Sequence, residues 1–209
     1  MDGLLLNTED IYKQCADNIL TKYGRPPLPW SIKAKLMGVP GSSNGDIFHD
    51  WAQLPISREK FEKEQNEQQE LHFPDCTPLP GAKDLFTHLK SVKNKDGYRV
   101  EIALATSSEK YNYNRKASRT ETRKFLDLIP EDRRIYGDDD RVQQGRGKPA
   151  PDIYMLALET INSTLPGATT EDHPQGMLGF RRQRPGRRSR EKGGHAGCLG
   201  ASSRARGRI

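Results

Sequence analysis

The sequence predicts an α/β protein, and three observations carry that prediction. Residues 98–106, YRVEIALAT, become fully apolar toward their end, as a strand does in a parallel sheet covered on both faces. A second short strand pattern stands at Arg134–Tyr136. Around both, apolar residues recur every three or four positions, the spacing of helices with one buried side.

The elements follow in order. Residues 8–23 predict a helix, with Thr8 as N-cap, Ile11, Cys15, Ile19, Leu20 and Tyr23 on one face, and Gly24 as its stop. Pro26, Pro27 and Pro29 make a rigid turn. Short helical patterns at 30–37 and 45–53 present Trp30, Ile32, Leu36, Phe48 and Trp51. Residues 57–71 form a charged helix in which Glu59, Lys60, Glu62, Lys63 and Glu64 lie mostly on a solvated face. After the prolines at 74, 78 and 80, an amphipathic helix spans 81–93, with Leu85, Phe86, Leu89 and Val92. Further helices are expected at 120–128 and 151–162, the latter with Pro151 in its first turn. Beyond about residue 163 the periodicity stops.

Composition removes several classes. The chain has 209 residues, long enough to bury a core. No apolar run is long enough to span a membrane. The start, MDGLLLNTED, lacks the basic region of a signal peptide. Cys15, Cys76 and Cys198 are odd in number and far apart, which fits a reducing, cytoplasmic setting rather than a disulfide framework. The net charge of +6 is unevenly spread: residues 177–209 hold ten Lys/Arg against Glu191 alone, a net +9, while residues 1–176 net −3. Such an end reads as a disordered nucleic-acid arm if it was selected for its charge.

Four places offer chemistry, and each also has a plain reading. Asp2, before Gly3 and a leucine run, puts a carboxylate at a tight turn, as an ordinary turn aspartate would. Leu104-Ala105-Thr106-Ser107-Ser108 sets hydroxyls and N–H groups at the C-terminal end of a strand, where α/β sheets bind ligands. A polar strand end looks the same. In Gly147-Lys148-Pro149-Ala150-Pro151-Asp152 a lysine held before a helix can meet a phosphate, or simply face water. Gly137-Asp138-Asp139-Asp140 suggests a metal, but after a short strand a helix cap and turn fit better.

The order of these segments narrows the choice. MDGLLLNTEDIY, LPGA, ALATSS, GDD and GRGKPAPDIY form a series that resembles the haloacid dehalogenase-like hydrolases. The likeness is strongest to the phosphatase branch that includes pseudouridine 5′-phosphatase and 2-deoxyglucose-6-phosphate phosphatase. It covers residues 1 to about 165. The resemblance implies a Rossmann-like parallel core with an inserted helical cap. It places the core at 1–7 and 78–169, the cap at 8–77 and a basic tail at 170–209. It also implies Mg²⁺ as cofactor and a small phosphorylated metabolite as substrate; the lack of a long apolar run sets aside a membrane partner, and the tail's frame, below, argues against a nucleic-acid one.

The family pattern begins D-x-D-G, and its first aspartate attacks phosphorus while the second is the acid/base. Asp2 matches the second, and its backbone carbonyl matches a metal ligand. The position of the first falls just before Met1. Thr106 matches the phosphate-binding hydroxyl, with the Ser107 N–H beside it. Lys148 matches the lysine that neutralises the phosphate and the nucleophile, and so serves both catalysis and phosphate binding. The acidic pair that holds Mg²⁺ is expected after residue 170, and Glu171-Asp172 follows no strand. As written, the chain is therefore expected to be inactive. A phosphomutase on this scaffold, or a non-catalytic copy with a polyanion-binding tail, is the alternative.

The tail supports a further expectation. Codons compatible with Gly176–Arg204, read one base later, allow ECLVFEDSVPGVEAGRKAGMRVVWVPHPG. That string holds an apolar strand, an acidic pair and a second apolar strand, similar to the family's fourth motif. Residues from about 170 onward are therefore expected to be translated out of frame, with the arginines as its by-product.

Overall fold

The computed structural model describes residues 1–36, 41–94 and 97–164. The expected tail at 170–209 lies outside them. Four helices come first: α1 (Thr8–Lys22), α2 (Trp30–Leu36), α3 (Gly41–Ala52) and α4 (Arg58–His72). Then follow α5 (Ala82–Ser91), β1 (Leu104–Ala105), α6 (Lys110–Lys116), α7 (Thr120–Leu126), β2 (Arg134–Ile135) and α8 (Asp152–Thr164).

The periodicity of α1 explains its packing. Ile11 and Cys15 join one core with Leu6, Phe73, Phe86 and Leu104. One and two turns later, Ala16, Ile19 and Leu20 join a second core with Leu28, Phe48 and Phe61. One amphipathic helix thus belongs to both hydrophobic centres. Its end is closed by Gly24 at φ +68°, which lets the Arg25 N–H reach back to the Leu20 carbonyl at 2.8 Å. Thr8 is not the N-cap, which is Asn7. Asn7 turns instead to the far end of the helical segment. Its N–H donates to the Thr77 carbonyl at 3.0 Å, and its Oδ1 accepts from the Thr77 N–H at 2.8 Å. The excursion of α1–α4 therefore leaves and rejoins the rest at one point.

The charged helix at 57–71 is present as α4, opened by Ser57, whose Oγ accepts from the Lys60 N–H at 3.3 Å. Glu64 does not share its solvated face. It is buried, accepting from the Tyr23 hydroxyl at 2.6 Å and pairing with Lys22 at 2.9 Å. A carboxylate with two such donors can leave water, and sequence spacing does not reveal those donors.

β1 and β2 pair in parallel, with Leu104 opposite Arg134 and Ala105 opposite Ile135. The strand expected over 98–106 is regular only at 104–105. Residues 98–103 form no ladder, and their backbone contact is an antiparallel bridge between Lys93 and Arg99. A strand needs a neighbour for its backbone groups: β2 pairs only with Leu104–Ala105, and residues 92–94 meet 98–100 through no more than this bridge. Behind the sheet, α8 packs Ile153 and Ala157 on Ile135. Helix α6, KYNYNRK, forms without an apolar repeat in its sequence.

Candidate active site

The site gathers at the C-terminal end of β1, where a parallel strand hands its chain to a loop. The Thr106 N–H still pairs with β2, donating to the Ile135 carbonyl at 3.0 Å. Its side chain is buried, and Thr106 Oγ1 accepts from the Ser108 N–H at 3.1 Å. That bond turns the chain, so Ser107 stands exposed at the crest. β2 supports the turn from beneath, with the Gly137 N–H donating to the Ser108 carbonyl at 3.0 Å.

Lys148 reaches the same place from the loop before α8. Its Nζ donates to the Ala105 carbonyl at 2.8 Å and sits 4.9 Å from the centre of the Tyr154 ring. The ammonium is thus one residue from the Thr106 hydroxyl along the strand.

Asp2 comes from the opening turn, which Leu5 and Leu6 anchor by burial. The Leu5 N–H donates to the Met1 carbonyl at 2.8 Å, and the Gly3 N–H donates to Thr8 Oγ1 at 3.1 Å. Asp2 Oδ1 meets Lys116 Nζ at 2.6 Å. Burial opposes ionisation of this carboxyl, but the Lys116 ammonium, the chain's amino group and hydrogen bonds from Lys116 and Thr8 outweigh it and hold its pKa below the ordinary carboxylate value.

Lys116 is the residue that sequence reasoning missed. It is wholly buried on α6 and donates to three acceptors: Asp2 Oδ1, Ser108 Oγ at 2.9 Å and the Tyr12 hydroxyl at 3.0 Å. Burial opposes its charge, but Asp2 and Tyr12 prevail and raise its pKa. A lysine in a polar segment gives no signal of burial, because most lysines lie in water.

The acidic run at 138–140 acts as a cap and turn. Asp138 Oδ1 accepts from the Lys110 N–H at the start of α6, at 2.9 Å, and Asp139 pairs with Arg141 at 2.8 Å. Among the described residues no three His, Cys, Asp or Glu side chains gather as a metal site. Asp2 brings one carboxylate, already held by an ammonium. The described residues therefore do not by themselves make a Mg²⁺ site, and no chemical step below is routed through the ion.

A parallel strand ending in a hydroxyl-lined turn, with a lysine and an aspartate beside it, defines an α/β protein with its polar groups gathered at a strand end, where such sheets bind ligands. The chain matches the haloacid dehalogenase-like hydrolases over residues 1–178 and belongs to that family. It is 41% identical over 162 residues to a "Probable pseudouridine-5'-phosphatase" of Saccharomyces cerevisiae, covering 78% of this chain and 64% of that protein. It is 33% identical over 184 residues to "(DL)-glycerol-3-phosphatase 2" of Arabidopsis thaliana, covering 85% and 71%. A solved Thermotoga maritima structure, described as a "putative beta-phosphoglucomutase", superposes with a TM-score of 0.56 at 29% identity, covering 78% and 68%. The chain thus spans 64% and 62% of the lengths of two of its curated relatives, the S. cerevisiae protein and one from Schizosaccharomyces pombe. No helix among the described residues is long and apolar enough to cross a membrane.

Proposed function

We propose that this chain is the phosphoryl-handling part of a phosphatase that hydrolyses a small phosphomonoester, a sugar or nucleotide-like phosphate, in a cytoplasmic setting. The observation that carries the reading is a continuous run of contacts: Asp2 to Lys116, Lys116 to Ser108, Ser108 to Thr106, and Lys148 to the carbonyl of Ala105 just before it. In this reading the Thr106 hydroxyl, the Ser107 N–H and Lys148 hold the phosphoryl oxygens. Asp2 is the acid/base: its carboxylate, kept ionised by Lys116 in the empty site, takes a proton from the attacking water and, once protonated, gives it to the leaving oxygen of the next ester. Helices α1–α4, at 8–77, are the cap that closes over the substrate, and residues 1–7 and 78–169 are the core.

We infer likewise that residues from about 170 stand in a shifted frame. A binding experiment tests the site without requiring turnover. Inorganic phosphate, followed by phosphorus NMR or calorimetry, is expected to bind the full chain, and Thr106→Val and Lys148→Ala each to weaken it tenfold or more. Absent binding, or binding indifferent to both substitutions, would overturn the assignment.

A further inference from the structure

Lys116 spends all three of its ammonium hydrogens, and each goes to a different part of the molecule. Asp2 belongs to the opening turn, Ser108 to the loop after β1, and Tyr12 to α1, the first helix of the inserted segment. The lysine itself is carried by α6, with its side chain wholly buried. The same nitrogen lies 5.0 Å from the Tyr12 ring centre and 4.7 Å from that of Phe73, so aromatic faces close the remaining sides. An ammonium so enclosed has no hydrogen left for a ligand. It is a joint rather than a binding group.

Its neighbours on α6 extend the same contact. The Tyr111 hydroxyl donates to Glu70 at 3.3 Å, and Arg115 donates to the Asn66 carbonyl at 3.4 Å. Beyond the helix end, Arg119 pairs with Asp75 at 3.0 Å. These three pairs are largely exposed and individually weak. Lys116 is wholly buried while the Asp2 side chain stays 26% exposed, so removing Asp2 leaves a buried ammonium without its counter-charge.

We propose that Lys116 is a positioning residue, which fixes the Asp2 carboxylate beside the strand-end loop and, through Tyr12, makes that position depend on how the inserted helices are seated. The proposal rests on the reading of Asp2 as the acid/base. In its terms the carboxylate is held in place while the helices are docked. When α1 moves away, one of the three acceptors is withdrawn and the joint loosens.

The test uses the full chain and two variants, Tyr12→Phe and Lys116→Met, with amide hydrogen exchange and inorganic phosphate binding as readouts. Tyr12→Phe removes one acceptor and leaves the ring. It is expected to speed exchange at residues 3–6 and at Thr77 and Leu79 fivefold or more, to leave α7 unchanged, and to shift phosphate affinity less than threefold. Lys116→Met is expected to give the same local pattern, more strongly. If Lys116→Met does not fold, Tyr12→Phe decides alone. Unchanged exchange at 3–6 in Tyr12→Phe, or an equal rise throughout α7, would overturn the proposal, since a purely stabilising lysine acts globally. If the unmodified chain binds no phosphate, the positioning role falls with the reaction it serves. An intact local exchange pattern would then show that the phosphoryl reading failed and the joint did not.

Discussion

Gly137 and Ser107 are in backbone contact: a Cβ built on Gly137 would stand 2.7 Å from the Ser107 carbonyl carbon and closer still to its oxygen. The loop after β1 therefore rests on a residue with no side chain. Gly137→Ala is expected to push 107–108 outward, because the obstacle is main chain and cannot rotate aside. Overpacking of this kind costs about 1–3 kcal/mol. Denaturant unfolding should show that loss, and phosphate binding should fall along with it. A variant of unchanged stability and affinity would mean the loop is not held from beneath.

Leu6 joins the opening turn to the segment that returns from the helices. It is fully buried and bridges to Pro78. Leu6→Ala is expected to cost about 2–5 kcal/mol, the range for emptying a buried leucine site. Urea unfolding read by circular dichroism would measure the shift, and a loss under 1 kcal/mol would count against a tightly packed turn.

The thiols of Cys15 and Cys76 should be inert in the native chain. Burial pushes their pKa values up to about 11 and about 12, despite the nearby cations Arg115 and Lys116 respectively. At pH 8 a thiol of pKa 11 is ionised to about one part in a thousand, and the thiolate is the reactive form. Iodoacetamide with peptide mass mapping is expected to leave both unmodified until denaturant is added. Rapid native labelling at either site would show that its enclosure is open.

Glu64 gives the helical segment a pH dependence of definite sign. The Tyr23 hydroxyl, then Lys22, holds its carboxyl below the ordinary value, against burial. A folded-state pKa below the unfolded one adds stability above the unfolded value of about 4.3, and that stability is lost as pH falls through the folded pKa. Tyr23→Phe should thus be less stable than the unmodified chain at pH 7, with the gap narrowing below about pH 4 as the carboxyl protonates. Parallel urea titrations at both pH values check this. A gap that stays constant or widens in acid would assign the effect to lost packing.

The reading frame can be checked directly. The codons for Gly176–Arg204, read one base later, are expected to spell the acidic-pair and apolar-strand sequence set out above. Sequencing the transcript through this region decides it, and codons that cannot yield that string would refute the shifted frame.

How far the sequence could be read depended on the kind of signal each residue gives. The helix at 8–22 was legible because Ile11, Cys15 and Ile19 repeat at a helical interval and are buried. Thr106 and Lys148 stood out through the segments around them, and the structure sets both at the end of β1. Helix α6 was not legible. Lys110–Lys116 reads KYNYNRK, and its inward residues include Tyr113 and Lys116 rather than an aliphatic stripe. Lys116 is buried by partners 104 and 114 residues earlier in the chain, which no local pattern encodes. The strand at 98–106 was over-read for the converse reason: an apolar run records a tendency to pair, while pairing also needs a neighbour.

Asn7 and Thr77 are 70 positions apart and hydrogen-bonded to each other. Seen from the core, the chain departs and returns at a single address, and whatever lies between is an annex built on one doorway. Closing a longer loop adds only about 0.6 kcal/mol for each doubling of its length. The annex can therefore be enlarged, shortened or rebuilt over generations without stretching the strands behind it. A fold arranged this way separates two histories: the backbone around β1 can stay as it is while the annex is remade.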